Sequence, residues 1–295
     1  MDTIKATTPS DLSNFGPGIH QIQWQGREVW LIEQAWGQLV VAKLGAQILY
    51  YQPVGEHAVF WLNPEPSHCD NESIRGGVPL CWPWFGLNSS DSSKANHGTA
   101  RTALWTMCEQ HLQANHSTTL TFMPVEQLCD ALAVTFEISV SDNYLSMRIL
   151  TRNISDQEQN LTQAIHSYFF VADSQKIIVQ GLKGCEYLDK LQSEKLKYQR
   201  SQLSQISAID SIYKHTADAV IVDEILSREI VISKAGSGST VVWNPGQAAK
   251  NYGIFSGQMN FICIEAANTD HESLCLAPGQ QVVLQQTVEL RCITR

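Results

Sequence analysis

Apolar and polar side chains alternate along much of this chain. In ALAVTFEISVSDNYLSMRILTRN, residues 131–153, Leu132, Val134, Phe136, Ile138 and Val140 take every second position. Ser141-Asp142-Asn143 interrupt them, and Leu145, Met147 and Ile149 resume the period. A period of two puts these side chains on one face of a strand, so the stretch predicts a long β-hairpin with one buried face. VVLQQTVELRCIT (282–294) repeats the pattern through Leu284, Val288 and Leu290. VWLIE (29–33), QLVVAKLG (38–45), QILYYQP (47–53) and STTLTFMPV (117–125) predict further strands between turn-rich segments. AGSGSTVVW (235–243) predicts a hairpin turn leading into a strand. Helical spacing of about 3.6 residues is scarce, and no repeat of about 20 to 50 residues occurs. Many strands and few helices predict an all-β fold, one large antiparallel β-sandwich formed as a single domain by residues 1–295.

Composition narrows the picture. With 43% hydrophobic and 17% charged residues, the 295-residue chain can bury a sizeable core and lacks the make-up of extended disorder. Its formal net charge of −9 excludes the basic face that a nucleic-acid partner requires, and leaves any anionic ligand to be met by local cations. The N-terminal MDTIKATTPSDLSNFGPGIH has no apolar core, and no run of about eighteen apolar residues follows. Neither an export signal nor a membrane partner is expected, and the expected compartment is the cytoplasm. The eight cysteines form no C-x-x-C pair and read as mostly buried thiols.

Candidate chemistry collects in four stretches. SIRGGVPLCWPWFG (73–86) sets Arg75 beside Gly76 and Gly77, which permit a close backbone approach and leave the guanidinium free for a ligand or for solvent. Its Trp82, Trp84 and Phe85 suit either the core or the floor of a sugar-sized pocket, with core the better reading for at least one. ANHGTARTALW (95–105) brings an imidazole, His97, and a fixed positive charge, Arg101, out of one short loop. In LTQAIHSYFF (161–170), His166 lies inside an apolar run that reads as a buried strand; a neutral core histidine would look the same. FICIEAANT (261–269) ends an apolar run on Glu265, where a raised pKa would suit a general base, unless the side chain reaches water. No phosphate-binding glycine loop, zinc spacing or G-x-S-x-G elbow occurs, so no metal is expected.

Taken in order, IRGGVPLCWPWFG, HGTAR, QAIHSYF, IDSIY, VWNP and ICIEAANT…LAPGQ resemble the glucose-6-phosphate 1-epimerase (hexose-6-phosphate mutarotase) family of the aldose 1-epimerase superfamily, from about residue 30 to the end. The resemblance implies a galactose mutarotase-like β-supersandwich with a sugar site, one wall of which is the aromatic and glycine-rich strip. It implies His166 as general acid and Glu265 as general base, Arg75 and Arg101 on the 6-phosphate, and Asp210 on sugar hydroxyls. It also implies His97 near the ring oxygen, with Asn96 at a substrate-binding position. Three departures stand out: Asn96 where many members have glutamine, Thr99 for phenylalanine, and Ser211 for the arginine of DRIY, which would weaken or rearrange phosphate binding.

The implied reaction interconverts the α and β anomers of a hexose 6-phosphate. A base takes the C1 hydroxyl proton while an acid protonates the ring oxygen, and the same pair, placed on opposite sides of C1–O5, recloses the ring. Each such group supplies about 10² to 10⁴-fold, so no cofactor is needed. An ionised Glu265 and a protonated His166 would give a bell-shaped pH profile, the glutamate on its acid limb and the histidine on its alkaline limb. The alternatives are a free-sugar aldose 1-epimerase with the same acid and base, which the arginines would distinguish, and a non-catalytic carbohydrate-binding domain.

Overall fold

The predicted hairpin forms as strands Leu132–Ser141 and Tyr144–Asn153, paired from Leu132 opposite Asn153 to Ser141 opposite Tyr144 around the loop Asp142-Asn143. Burial along the first strand alternates without a break, as the period of two requires. The computed structural model describes residues 12, 15–64, 73–88, 91–113, 117–257 and 259–293. Most of the N-terminal stretch read for an export signal therefore lies outside the described residues. No helix among those described is long and apolar enough to cross a membrane.

The hairpin belongs to a nine-stranded sheet, where Gln281–Cys292 flanks one side and Thr118–Pro124 the other. A second, eight-stranded sheet carries Ile209–Tyr213, Ser239–Asn244, Phe261–Asn268 and Gln163–Ile165 side by side. Four strands from Gly18–Trp24 to Ile48–Pro53 pair in chain order as a third sheet, and every strand pairing between named strands is antiparallel. Phe136, Met147 and Val288 from the first sheet, Ile165, Val242 and Ile264 from the second, and Trp30, Leu39 and Tyr51 from the third share one buried cluster. Burying each such side chain contributes about 1.5 to 3 kcal/mol, so the interior between the sheets is the main source of stability. The fold is the expected all-β supersandwich.

AGSGS is not the hairpin turn that the sequence predicts. Arg228–Ala235 pairs within the nine-stranded sheet and Ser239–Asn244 within the eight-stranded one, so this segment carries the chain from sheet to sheet. Gly236 (φ +71°) makes the crossing, because a Cβ there would run into the carbonyl oxygen of Val283. Glycine content marks a sharp turn locally but does not say which strands the turn joins.

Candidate active site

Strand Phe261–Asn268 builds the site through its registers. On one side it pairs with Ser239–Asn244, with Val241 opposite Glu265 and Trp243 opposite Cys263. On the other it pairs with two short strands, Gln163–Ile165 and Tyr168–Phe170, which keep a common register: Ile165 faces Ala266 and Tyr168 faces Cys263. His166 consequently lies across from Glu265, in the gap between them. The ladder is interrupted there. The His166 amide donates to the Pro79 carbonyl at 3.0 Å, and the Ile264 carbonyl accepts from the Gln286 side chain at 2.9 Å. Gln286 reaches across from the facing sheet and also accepts from the Ser167 hydroxyl. Alternation sends Ile262, Ile264 and Ala266 into the interior and turns Cys263 and Glu265 to the opposite face.

On that face His166 Nδ1 lies 3.3 Å from Glu265 Oε1. The imidazole stacks flat on Tyr168 (4.9 Å, 7°) and meets His97 and Trp243 edge-on at 5.8 and 6.2 Å. Glu265 is 1% exposed; among the described residues its Oε2 and His166 Nδ1 have no hydrogen-bond partner. Burial disfavours a charge on either group. It pushes the Glu265 carboxyl well above the usual carboxylate range, Asp210 adding to the shift and Lys190 opposing it. It pushes His166 well below the usual imidazole value, with His97, Arg101 and Arg75 acting in the same direction. Between its two titration steps the pair holds one proton, as carboxyl and imidazole or, after transfer across the contact, as carboxylate and imidazolium. The two groups are direct neighbours on one face of the sheet.

His97 adopts φ +65°, and Gly98 after it packs where a Cβ would run into the Trp82 carbonyl oxygen. That carbonyl accepts from the amides of Thr99 and Ala100 at 2.9 and 3.2 Å, which pins the loop. Nδ1 of His97 accepts from the Gly86 amide at 3.2 Å, so the neutral ring carries its proton on Nε2. Burial lowers its pKa to about 3, with help from the charges of Arg101, Lys190 and Arg75. Arg101 sits on the single turn Ala100–Thr102 and donates to the Asn96 carbonyl at 2.6 Å. Asn96 is exposed, and its carbonyl is what holds the Arg101 guanidinium.

Arg75 lies 6.0 Å from the centre of the Tyr252 ring, and its charge acts on the Tyr168 hydroxyl. Burial lowers the pKa of Arg101, and the charge of Arg75 lowers it further, so the two guanidiniums repel each other. Among the described residues neither forms a salt bridge with a carboxylate.

Asp210 lies opposite Trp243 and on the face of Glu265, where burial raises its own pKa. Ser211, one position on, is buried and points to the other face, so the side chain at 211 does not approach the pair. The aromatic strip divides its work. Trp82 is fully buried and donates to Thr151, Phe85 packs against His97 at 5.0 Å, and Trp84 lies half-buried under Lys94.

Besides His97, the rings that meet His166 are Tyr168 and Trp243, which the sequence reading passed over along with Lys190, Cys263 and Gln286. Lys190 follows Asp189, the partner of Ser211, and its charge acts on His97, Asp210 and Glu265. Gln286 did leave a signal: it is the polar member of the buried period Leu284, Gln286, Val288, Leu290.

A buried carboxyl and imidazole in contact, two guanidiniums without carboxylate partners among the described residues and a rim of aromatic rings, on one face of a large antiparallel sandwich, fit an acid/base enzyme acting on a sugar. The family model described as aldose 1-epimerase matches residues 28–289, and the chain belongs to that family. It is an epimerase that interconverts the anomers of a sugar. A relative from Escherichia coli (strain K12), named "Putative glucose-6-phosphate 1-epimerase", is 31% identical over 246 residues, 76% of this chain and 77% of its own. One from Cenchrus ciliaris with the same name is 27% identical over 256 residues, 80% of this chain and 76% of its own. A crystal structure from Salmonella typhimurium described as a "putative mutarotase" superposes with a TM-score of 0.84 at 26% identity, covering 93% of this chain and 94% of that one.

Proposed function

We propose that the sugar is a hexose 6-phosphate, glucose 6-phosphate first, with Glu265 as general base and His166 as general acid. The observation that carries the substrate class is the pair Arg75 and Arg101, two mutually repelling guanidiniums with no carboxylate partner among the described residues. A dianionic phosphate relieves that repulsion through forked, charge-assisted hydrogen bonds. The E. coli and Cenchrus ciliaris relatives carry this substrate in their names.

The chemistry follows from the contact between acid and base. O1 and O5 of a pyranose are both bonded to C1, so the groups serving them must be neighbours, as His166 and Glu265 are at 3.3 Å. Glu265 carboxylate takes the O1 proton, the O1 lone pair forms the carbonyl, and the C1–O5 bond pair passes to O5, which takes the His166 proton. The pair starts as carboxylate and imidazolium, the less populated one-proton form in these dry surroundings, and ends as carboxyl and imidazole, the form that burial favours. Rotation about C1–C2 and the reverse transfers give the other anomer. His97, its proton on Nε2, donates toward the ring oxygen, and Asp210 accepts from a hydroxyl.

Polarimetry or exchange NMR on freshly dissolved α-glucose 6-phosphate, with glucose as control, tests the reading. Catalysis with preference for the phosphate is expected. Charge-assisted hydrogen bonds are worth about 1.5 to 3 kcal/mol, so Arg75→Ala and Arg101→Ala should each lower kcat/KM for the phosphate by about 10 to 10²-fold, mainly through KM, and affect glucose much less. Equal losses on both substrates, or a wild type that prefers glucose, overturn the phosphate assignment and leave a free-sugar epimerase.

A further inference from the structure

We propose that His166, Cys263 and Glu265 form a site for a divalent cation of the zinc class, and that this cation and the sugar compete for the acid and the base. One imidazole nitrogen, the thiol sulfur and one carboxylate oxygen all lie within 4.8 Å of one another, and all three residues are buried. The register explains the cluster. Cys263 precedes Glu265 by two residues on the same face, and His166 stands across from Glu265.

Two of the donor atoms want a partner: His166 Nδ1 and Glu265 Oε2 have no hydrogen bond among the described residues, though both are shielded from solvent. Zinc binds imidazole and carboxylate at about 2.0 to 2.2 Å and thiolate at about 2.3 Å, so tetrahedral ligands stand between three and four ångströms apart. His166 Nδ1 and Glu265 Oε1 are already 3.3 Å apart, and the Cys263 sulfur lies within 4.8 Å of a ligand atom of each residue. A mixed sulfur, nitrogen and oxygen set suits zinc and its thiophilic neighbours, whereas magnesium and calcium require oxygen ligands. Three protein ligands leave the fourth position to water.

Binding takes the lone pair of the imidazole and replaces the thiol and carboxyl protons, which leave to buffer. An ion there removes both proton-transfer groups at once, and a seated sugar keeps the ion out. The competition rests on the mutarotation reading; the binding does not.

The test compares wild type with Cys263→Ala, using the full chain. Zn²⁺ binding is followed by calorimetry, and Cd²⁺ binding by the sulfur-to-metal charge-transfer band in the ultraviolet. Cys108, Cys275 and Cys292 are exposed and contribute equally to both proteins, so the difference isolates Cys263. The expected result is one site that Cys263→Ala weakens by at least about 10-fold, the smallest effect usual for loss of even an outer partner. Zn²⁺ should inhibit wild-type mutarotation, with relief by excess sugar phosphate. Relative to its own ion-free rate, Cys263→Ala should resist the ion by the same factor, and Cys263→Ser replaces it if the alanine variant does not fold. Equal Zn²⁺ affinity and an equal Cd²⁺ band in both proteins overturn the site. A chain that binds the ion through Cys263 but lacks mutarotase activity supports the site and overturns the activity; an active chain that binds no ion does the reverse.

Discussion

Glu265, 1% exposed and with Oε2 unpartnered among the described residues, occupies an expensive setting for a carboxylate. Glu265→Gln and His166→Ala should each slow mutarotation by at least about 10²-fold with the fold intact, because each removes a proton-transfer group. The glutamine variant should also be the more heat-stable protein. The folded-state pKa of Glu265 is raised, so its contribution to stability is full below the unfolded value near 4.5 and is lost as pH rises through the folded value. The Tm gap between Glu265→Gln and wild type should therefore widen from acid to alkaline pH. His166 has the opposite sign: its pKa is depressed, and its contribution is lost as pH falls through the folded value. With Glu265 as base and His166 as acid, these shifts predict limbs in the reverse order of the sequence-based expectation. The acid limb of kcat/KM should then belong to His166 and the alkaline limb to Glu265, as apparent values of a coupled pair. Imidazole ionisation shifts with temperature far more than carboxyl ionisation, so the acid limb should move on warming and the alkaline limb should stay; the opposite behaviour restores the first assignment.

At the scale of elements, the site depends on a loop and a broken strand. The loop 95–101 presents His97 and Arg101, and it is held by Gly98 (φ +77°) against the carbonyl of Trp82. Gly98→Ala meets both an unfavourable backbone conformation and that oxygen. It should cost about 1 to 3 kcal/mol of stability and lower kcat/KM for the sugar phosphate by more than about 10-fold, as His97 and Arg101 shift together. Thermal melts and kinetics on one preparation check this, and unchanged kinetics would show that the loop tolerates movement. The strand break at His166 and Ser167 is sustained by Gln286, whose amide serves the carbonyl of Ile264 behind Glu265.

Across the whole molecule one buried cation ties the sheets together. Arg228, 1% exposed, lies in the nine-stranded sheet and donates to the carbonyls of His57 and Ala58, beyond the N-terminal sheet, and of Phe170, in the eight-stranded sheet. Asp223, its partner position in the adjacent strand, accepts from the Ala172 amide at 2.8 Å. Burial lowers the Arg228 pKa to about 10, which leaves the guanidinium charged at neutral pH. Arg228→Met strands three carbonyls and should cost at least about 3 kcal/mol, a fall of roughly 6 to 12 °C in Tm for a chain of this size. A Tm within about 2 °C of wild type would show that water replaces the guanidinium.

The long hairpin with its buried face and its turn at Asp142-Asn143, and the buried face of the C-terminal strand, were legible because a period of two is a local property: each side chain's face follows from its neighbours. His166, Glu265, Arg75 and Arg101 were legible as candidates because a charged group inside an apolar or glycine-rich run is costly wherever it folds. What joined them was not local. Glu265 meets His166 only because the registers of Phe261–Asn268 and the two short strands bring positions 99 residues apart into contact, and Cys263 joins them by the same pairing. Those registers also turn Ser211 away, set Tyr168 and Trp243 against the imidazole, and send AGSGS from one sheet to the other. The protonation of the pair was likewise decided by the tertiary structure, because desolvation depends on what covers a group, and the covering residues come from every part of the chain.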